Sequence, residues 1–211
     1  MTRTNDGAAA GATDAQAQLA PALRSLAAQG ALPAQTDRLR RLQGALAAHP
    51  ACRALVLVGS YAKGCGDRIS DLDLAAFTDE GATDAVLALG LAQIDRAEVL
   101  HDFGGLHAAG GAFRKLVFFD WSSCELHVLP LSSPFRLKRP FVVLWEAAPG
   151  VVAERVVDGE PVRHEDFDAY QYGDEGLLWE LVDCIKWLRR GKTALARHHL
   201  RKLVARMDEA S

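Results

Sequence analysis

Two aspartates stand two residues apart in the run DLDLAAF, at Asp71 and Asp73, with leucine and alanine around them. Side chains alternate across a strand, so both carboxylates of such a run share one face while Leu72 and Leu74 take the other. Two like charges that close repel each other unless a cation sits between them. Carboxylate oxygens suit Mg²⁺, which keeps part of its water shell and takes phosphate oxygens as further ligands. Two such ions about 4 Å apart can stabilise both the attacking and the leaving oxygen of a phosphoryl or nucleotidyl transfer. Ten residues upstream the apolar run 54–58 ends in Gly59 and Ser60. A glycine there lets backbone and phosphate approach closely. Ser60 offers a hydroxyl, and the amides after it are expected to open a helix N-terminus, where anions bind. Lys63, one turn on, either reaches a phosphate or is an exposed lysine. Each feature alone has a plain structural reading: a turn, a cap, a solvated carboxylate pair. In this order and spacing, on an apolar strand, they point together to a metal-dependent nucleotide site.

The elements that must hold these residues can be read from periodicity. Strands are expected at about 53–58 and 72–77. Residues 1 to about 15 are Ala, Gly, Thr and Asp without periodicity and read as a disordered tail. Helical spacing follows in Leu19, Leu23 and Leu26, and again from about Thr36 in Leu39, Leu42 and Leu46. Thr83 or Asp79 is placed to cap a helix of about 83–94. A third strand is expected at 96–100, a flexible glycine-rich loop at 101–111, and strands at 113–119 and 124–131 joined by a turn at 120–123. A hairpin of 141–145 and 151–157 is the last strand signal. Beyond about 165 two helices are expected, 174–190 and 192–207, separated by Gly191. The fold class is therefore α+β: a mixed sheet of about five strands flanked by helices in a domain of 16–160, with a short helical C-terminal segment over 165–211.

Bulk composition narrows the classes. The chain has 211 residues, 49% hydrophobic and 24% charged, enough apolar mass for a folded core. A net charge of −3 gives no global nucleic-acid or membrane signature. Cys52, Cys65, Cys124 and Cys184 form no CxxC pair, so neither a zinc site nor a redox motif is indicated. No stretch reaches transmembrane length and no secretory signal is read, so a cytoplasmic protein without a membrane partner is expected. The last helix is basic through Arg197, Arg201, Lys202 and Arg206, read first as a solvated face and second as a phosphate or RNA contact. Trp179 and Trp187 are read as core.

The segment GSYAKGCGDRISDLDLAAF resembles the signature of the DNA polymerase β-like nucleotidyltransferase superfamily. It is similar to the antibiotic nucleotidyltransferases of the kanamycin, lincosamide and streptomycin types and to small stand-alone nucleotidyltransferases. Tyr61, Gly64 and Ser70 match common positions in those groups. The resemblance is sharp over about 50–80 and only architectural elsewhere. It implies the nucleotidyltransferase fold, ATP or another NTP as co-substrate, and Mg²⁺, two ions, held by Asp71 and Asp73. Gly59 and Ser60, with Lys63, would hold the triphosphate while an acceptor hydroxyl attacks the α-phosphate and pyrophosphate leaves.

A third acidic residue is implied on a neighbouring strand. Glu125, among apolar strand residues, fits best, as metal ligand or general base, with His127 on the same face. Asp120 competes but falls at a turn. The implied acceptor is a small molecule, such as an aminoglycoside or lincosamide antibiotic. Alternatives are a minimal toxin–antitoxin type enzyme acting on RNA or protein, and a domain that binds nucleotide or partner without turnover. Some enzymes of this kind complete their site across a homodimer, and that assembly stays open here.

Overall fold

The alternation around Asp71 becomes a strand at the centre of a mixed sheet. The computed structural model of the chain describes residues 6–160, 163 and 166–210, with side chains from residue 15 onward. It divides into two units, Met1–Gly159 and Glu160–Ser211.

The first unit holds six strands: β1 (Cys52–Leu57), β2 (Asp71–Thr78), β3 (Val99–Leu106), β4 (Ala112–Phe118), β5 (Ser123–Pro130) and β6 (Val142–Glu146). Their order across the sheet is β3-β4-β5-β2-β1-β6. Only β2 and β5 run parallel; the other neighbours are antiparallel. The sheet thus has one strand more than the five or so expected. The third strand starts later than predicted, after a 3₁₀ turn at Arg96–Glu98, and runs through much of the stretch read as a flexible loop. Its glycines are compatible with a strand because the neighbouring backbone comes close: a Cβ on Gly104 would overlap the Phe113 carbonyl oxygen. The expected second arm of the last hairpin is a 3₁₀ turn, Ala153–Arg155, followed by a single bridge between Leu137 and Val156.

Helices α1 (Asp6–Ala28), α2 (Pro33–Ala48) and α4 (Thr83–Leu91) supply the apolar cover of one sheet face, and α3 (Gly59–Ala62) is a single turn between β1 and β2. α1 takes in part of the stretch expected to be unstructured and continues through Pro21. Alanine, the strongest helix former, dominates its start. α2 begins three residues before the predicted start, with Pro33 in its first turn, where a missing N–H is harmless. Neither Thr83 nor Asp79 caps α4, whose N-cap is Ala82. Asp79 instead accepts two bonds from the Arg53 guanidinium, at 2.7 and 2.6 Å.

Leu26 of α1, Leu39, Leu42 and Leu46 of α2, and Val86 of α4 pack in one cluster with Leu55, Leu57, Leu72, Leu74, Cys124 and Leu126 of the sheet. Burying each such side chain contributes roughly 1.5–3 kcal/mol. Arg38 of α2 is buried among them, over the Phe118 ring at 3.7 Å. Its guanidinium donates to Glu98 at 3.0 Å, Ser122 at 2.8 Å and Asp120 at 3.1 Å. It therefore ties α2 to the β4–β5 turn.

The second unit is a helical pair, α5 (Gly173–Arg189) and α6 (Thr193–Ala210). Trp187, Cys184 and Ala196 form its apolar centre. His199 is buried there, 2.8 Å from Glu180 and edge-on to Trp187. One histidine of the His198–His199 pair is thus internal, while His198 is exposed. No helix among the described residues is long and apolar enough to cross a membrane.

Candidate active site

The face of the sheet opposite the helices carries a second apolar cluster, including Val56, Ala75, Phe77 and Leu129, and beside it, where β2 and β5 begin, a group of polar residues. On β2 the alternation leaves Leu72 and Leu74 fully buried, whereas Asp71 and Asp73 are half-buried on the opposite side. β5 runs parallel beside it, with Asp71 aligned to Ser123, Asp73 to Glu125 and Ala75 to His127. Glu125 therefore lies on the strand next to Asp73 and on the same face, strands in a sheet being about 4.8 Å apart. The Ser123 hydroxyl donates to Asp71 Oδ1.

β1 brings the glycine turn to this place. The Val58 N–H donates to the Asp73 carbonyl at 2.9 Å, extending the β1–β2 ladder by one rung. Gly59 follows at once, with φ of 70°, a conformation that L side chains rarely adopt. A Cβ at Gly59 would overlap the Asp73 carboxylate. The residue is glycine for two reasons at once: its left-handed backbone and the carboxylate against it. Ser60 and Tyr61 lie in α3, which is only four residues long. Too few peptide dipoles align there to make the helix N-terminus expected from the sequence. Lys63 is the exposed C-cap of α3, its N–H bonded to the Gly59 carbonyl.

Loop 63–70 is pinned from below by two glutamines. Gln29 donates to the Tyr61 carbonyl and accepts from the Gly66 N–H, at 3.1 and 2.7 Å. Gln35, fully buried, donates to the Ser70 carbonyl at 2.9 Å. The Tyr61 hydroxyl donates to the Asp67 carbonyl at 2.6 Å. Asp67 in turn accepts from the Ile69 N–H and the Ser70 hydroxyl. The loop that separates Ser60 from Asp71 is thus held at several points.

Glu125 meets two partners on its own face. Lys115 of β4, its cross-strand neighbour, lies 2.9 Å from Oε1, and His127 Nε2 lies 2.7 Å from the same oxygen. Burial pushes the Glu125 carboxyl up, but the bond from His127 and the Lys115 ammonium outweigh it and hold it at about 2. The partners that this strand-borne glutamate requires are therefore supplied by the protein itself, in Lys115 and His127. His127 Nδ1 is buried without a hydrogen-bond partner. The His107 ring stands edge-on to the His127 ring at 4.9 Å and to the Phe135 ring at 5.7 Å. Burial, and next the neighbouring His127, lower the pKa of His107. His107 is thus packed at the edge of this face and is not a free loop residue. Asp120 is remote in role: it accepts from Arg38 and from Ser122 at the β4–β5 turn.

The structure places Gly59, Asp71, Asp73 and Glu125 together, with Ser60 and Lys63 on the adjoining turn. Lys115, Ser123, Gln29 and Gln35 were not singled out from the sequence. Alternation gave a usable signal for Ser123 alone, which stands two residues before Glu125 on the same strand. Among the described residues, no group of three or more His, Cys, Asp or Glu side chains is arranged to hold a metal ion. Asp71 and Asp73, half-buried on one face of β2, fit Mg²⁺, which binds through one or two carboxylates and completes its shell with water and phosphate. A scan of the chain against protein-family models gives no match, and a search of curated proteins gives none either.

Proposed function

We propose that the open face of the sheet is the active site of a Mg²⁺-dependent nucleotidyltransferase that moves a nucleoside monophosphate, AMP from ATP, to a hydroxyl of a small molecule. The observation that carries this reading is Gly59, set left-handed against the Asp73 carboxylate at the end of β1. That contact joins a phosphate-sized turn to a pair of carboxylates, a combination that a turn or a solvated pair alone does not require.

In this reading Asp71 and Asp73 hold the ion, and Ser123 orients Asp71 through its hydroxyl. Mg²⁺, when bound, supplies positive charge to the phosphates and polarises the reacting phosphoryl oxygens. Gly59 lets the turn lie directly against the Asp73 carboxylate, beside which the triphosphate would bind, and Ser60 offers the next hydroxyl. Glu125, held at about 2, stays ionised and is a weak proton acceptor, so it serves chiefly to orient Lys115 and His127. Its carboxylate lies 2.7 Å from His127 Nε2.

A second reading, a nucleotide-binding domain without turnover, is favoured by one observation: the third carboxylate is already ion-paired with Lys115. The test is pyrophosphate release from ATP and Mg²⁺ over a panel of hydroxyl acceptors, beginning with aminoglycosides and lincosamides, for wild type and Asp73→Asn. Acceptor-dependent release in wild type alone supports the transferase. Nucleotide binding without release across the panel supports the second reading.

A further inference from the structure

Within the helical unit, α6 leaves one apolar face of α5 uncovered. On α5, Trp179, Val182, Lys186 and Trp187 are buried. Leu181, Ile185 and Leu188 are 40%, 41% and 47% exposed, although these residue types are ordinarily buried. At 3.6 residues per turn they form one stripe with the half-buried Leu178, on the side away from the buried residues. The spacing 178, 181, 185, 188 alternates three and four, as in the seam of two helices packed side by side.

The ends of this stripe differ in charge. Asp174 and Glu175 lie in the first turn of α5, and Arg189 in the last, with Arg190 and Lys192 just beyond. Asp174, Glu175, Arg189 and Lys192 are all exposed. We propose that this stripe is the contact surface of a homodimer, in which α5 packs antiparallel on α5 of a second copy about a two-fold axis level with residue 183. That axis sets Leu181 opposite Ile185 of the partner subunit and Leu178 opposite Leu188 of the partner subunit. The same axis lays the acidic end of each helix along the basic end of the other. A parallel arrangement would stack acidic on acidic and basic on basic. The charge pattern is thus self-complementary in the antiparallel direction, which a second copy of the same helix meets. The leucine seam spans roughly 15 Å at about 1.5 Å per residue, which places it at the small end of specific interfaces, so the dimer is reversible and concentration-dependent.

Sedimentation velocity over a wide range of protein concentration tests this on the full chain. The expected result is a monomer–dimer equilibrium. Ile185→Glu should raise the dissociation constant more than about tenfold, because it puts a charge at the centre of an apolar contact. Circular dichroism of that variant should match wild type, since Ile185 is exposed. Asp174→Lys should weaken the dimer, and adding Lys192→Glu should restore it. Leu178→Cys and Leu188→Cys chains, each in a Cys65→Ser background, should cross-link to each other when mixed and not to themselves. A monomer at every concentration overturns the proposal and leaves the stripe to some other occupant. A dimer indifferent to Ile185→Glu, or self-cross-linking of Leu178→Cys, overturns it as well.

Discussion

The two faces of β2 and β5 are made from alternate residues of the same strands, yet they do different work. Leu72, Leu74, Cys124 and Leu126 face the helices and are at most 1% exposed. Asp71, Asp73, Glu125 and His127 face the other way and are partly accessible. The covered face resolves its one deep charge, Arg38, by surrounding it with Glu98, Asp120 and Ser122 at the far end of the sheet. The other face gathers Asp71, Asp73 and Glu125, where like charges repel, and pairs Glu125 with Lys115 and His127. Further along the same strands this second face is apolar again, with Ala75, Phe77 and Leu129 buried, so its charged groups are gathered at one end. Like charges drawn together at some expense in stability are what a binding site for cations and phosphates requires.

The contrast can be broken from either side. Leu74→Ala should have the largest effect on folding, about 3 kcal/mol lost in urea denaturation, with the affinity of the folded fraction for nucleotide unchanged. Lys115→Met strips Glu125 of its buried cation and should cost about 2–3 kcal/mol, most of it recovered in Lys115→Met/Glu125→Leu. Acid unfolding should expose the same pair. Because the folded-state pKa of Glu125 is depressed, its contribution is full above the ordinary carboxylate range and is lost as pH falls toward about 2. The acid limb of wild type should therefore be steeper between those limits than that of the double variant. Gly59→Ala should cost about 1–2 kcal/mol through its left-handed backbone. It should cost proportionally more in nucleotide binding, because its methyl group displaces the Asp73 carboxylate. Lys63→Ala, on an exposed C-cap, should change stability by less than about 0.5 kcal/mol. Any loss of nucleotide affinity in that variant would then report directly on whether Lys63 reaches phosphate.

How much of this was legible depended on whether the deciding contact was local. The carboxylate pair showed because aspartate and leucine alternate with the period of a strand. The glycine at 59 showed because it ends an apolar run. Most of β3 beyond Leu100 did not, since an edge strand carrying His101, Gly104 and Gly105 has the composition of a loop, and the closeness of the Phe113 backbone explains Gly104. The start of α1 was missed because alanine favours helix without leaving an apolar stripe. Gln29 and Gln35 were invisible as loop anchors, because their partners lie more than 30 residues away and glutamine is common on helix surfaces. Glu125 was found by its apolar setting, but its pairing with Lys115 depends on the β4–β5 register, which no spacing within either strand announces.

The central claim is that Asp71 and Asp73 bind nucleotide through a divalent ion. Calorimetric titration of a non-hydrolysable ATP analogue into wild type and into Asp71→Asn/Asp73→Asn, each with Mg²⁺ and with chelator, tests it most directly. The account predicts binding to wild type with Mg²⁺ and none in the other three conditions, with both proteins equally folded. Binding that survives the chelator or the double substitution, or no binding to wild type with Mg²⁺, would contradict it.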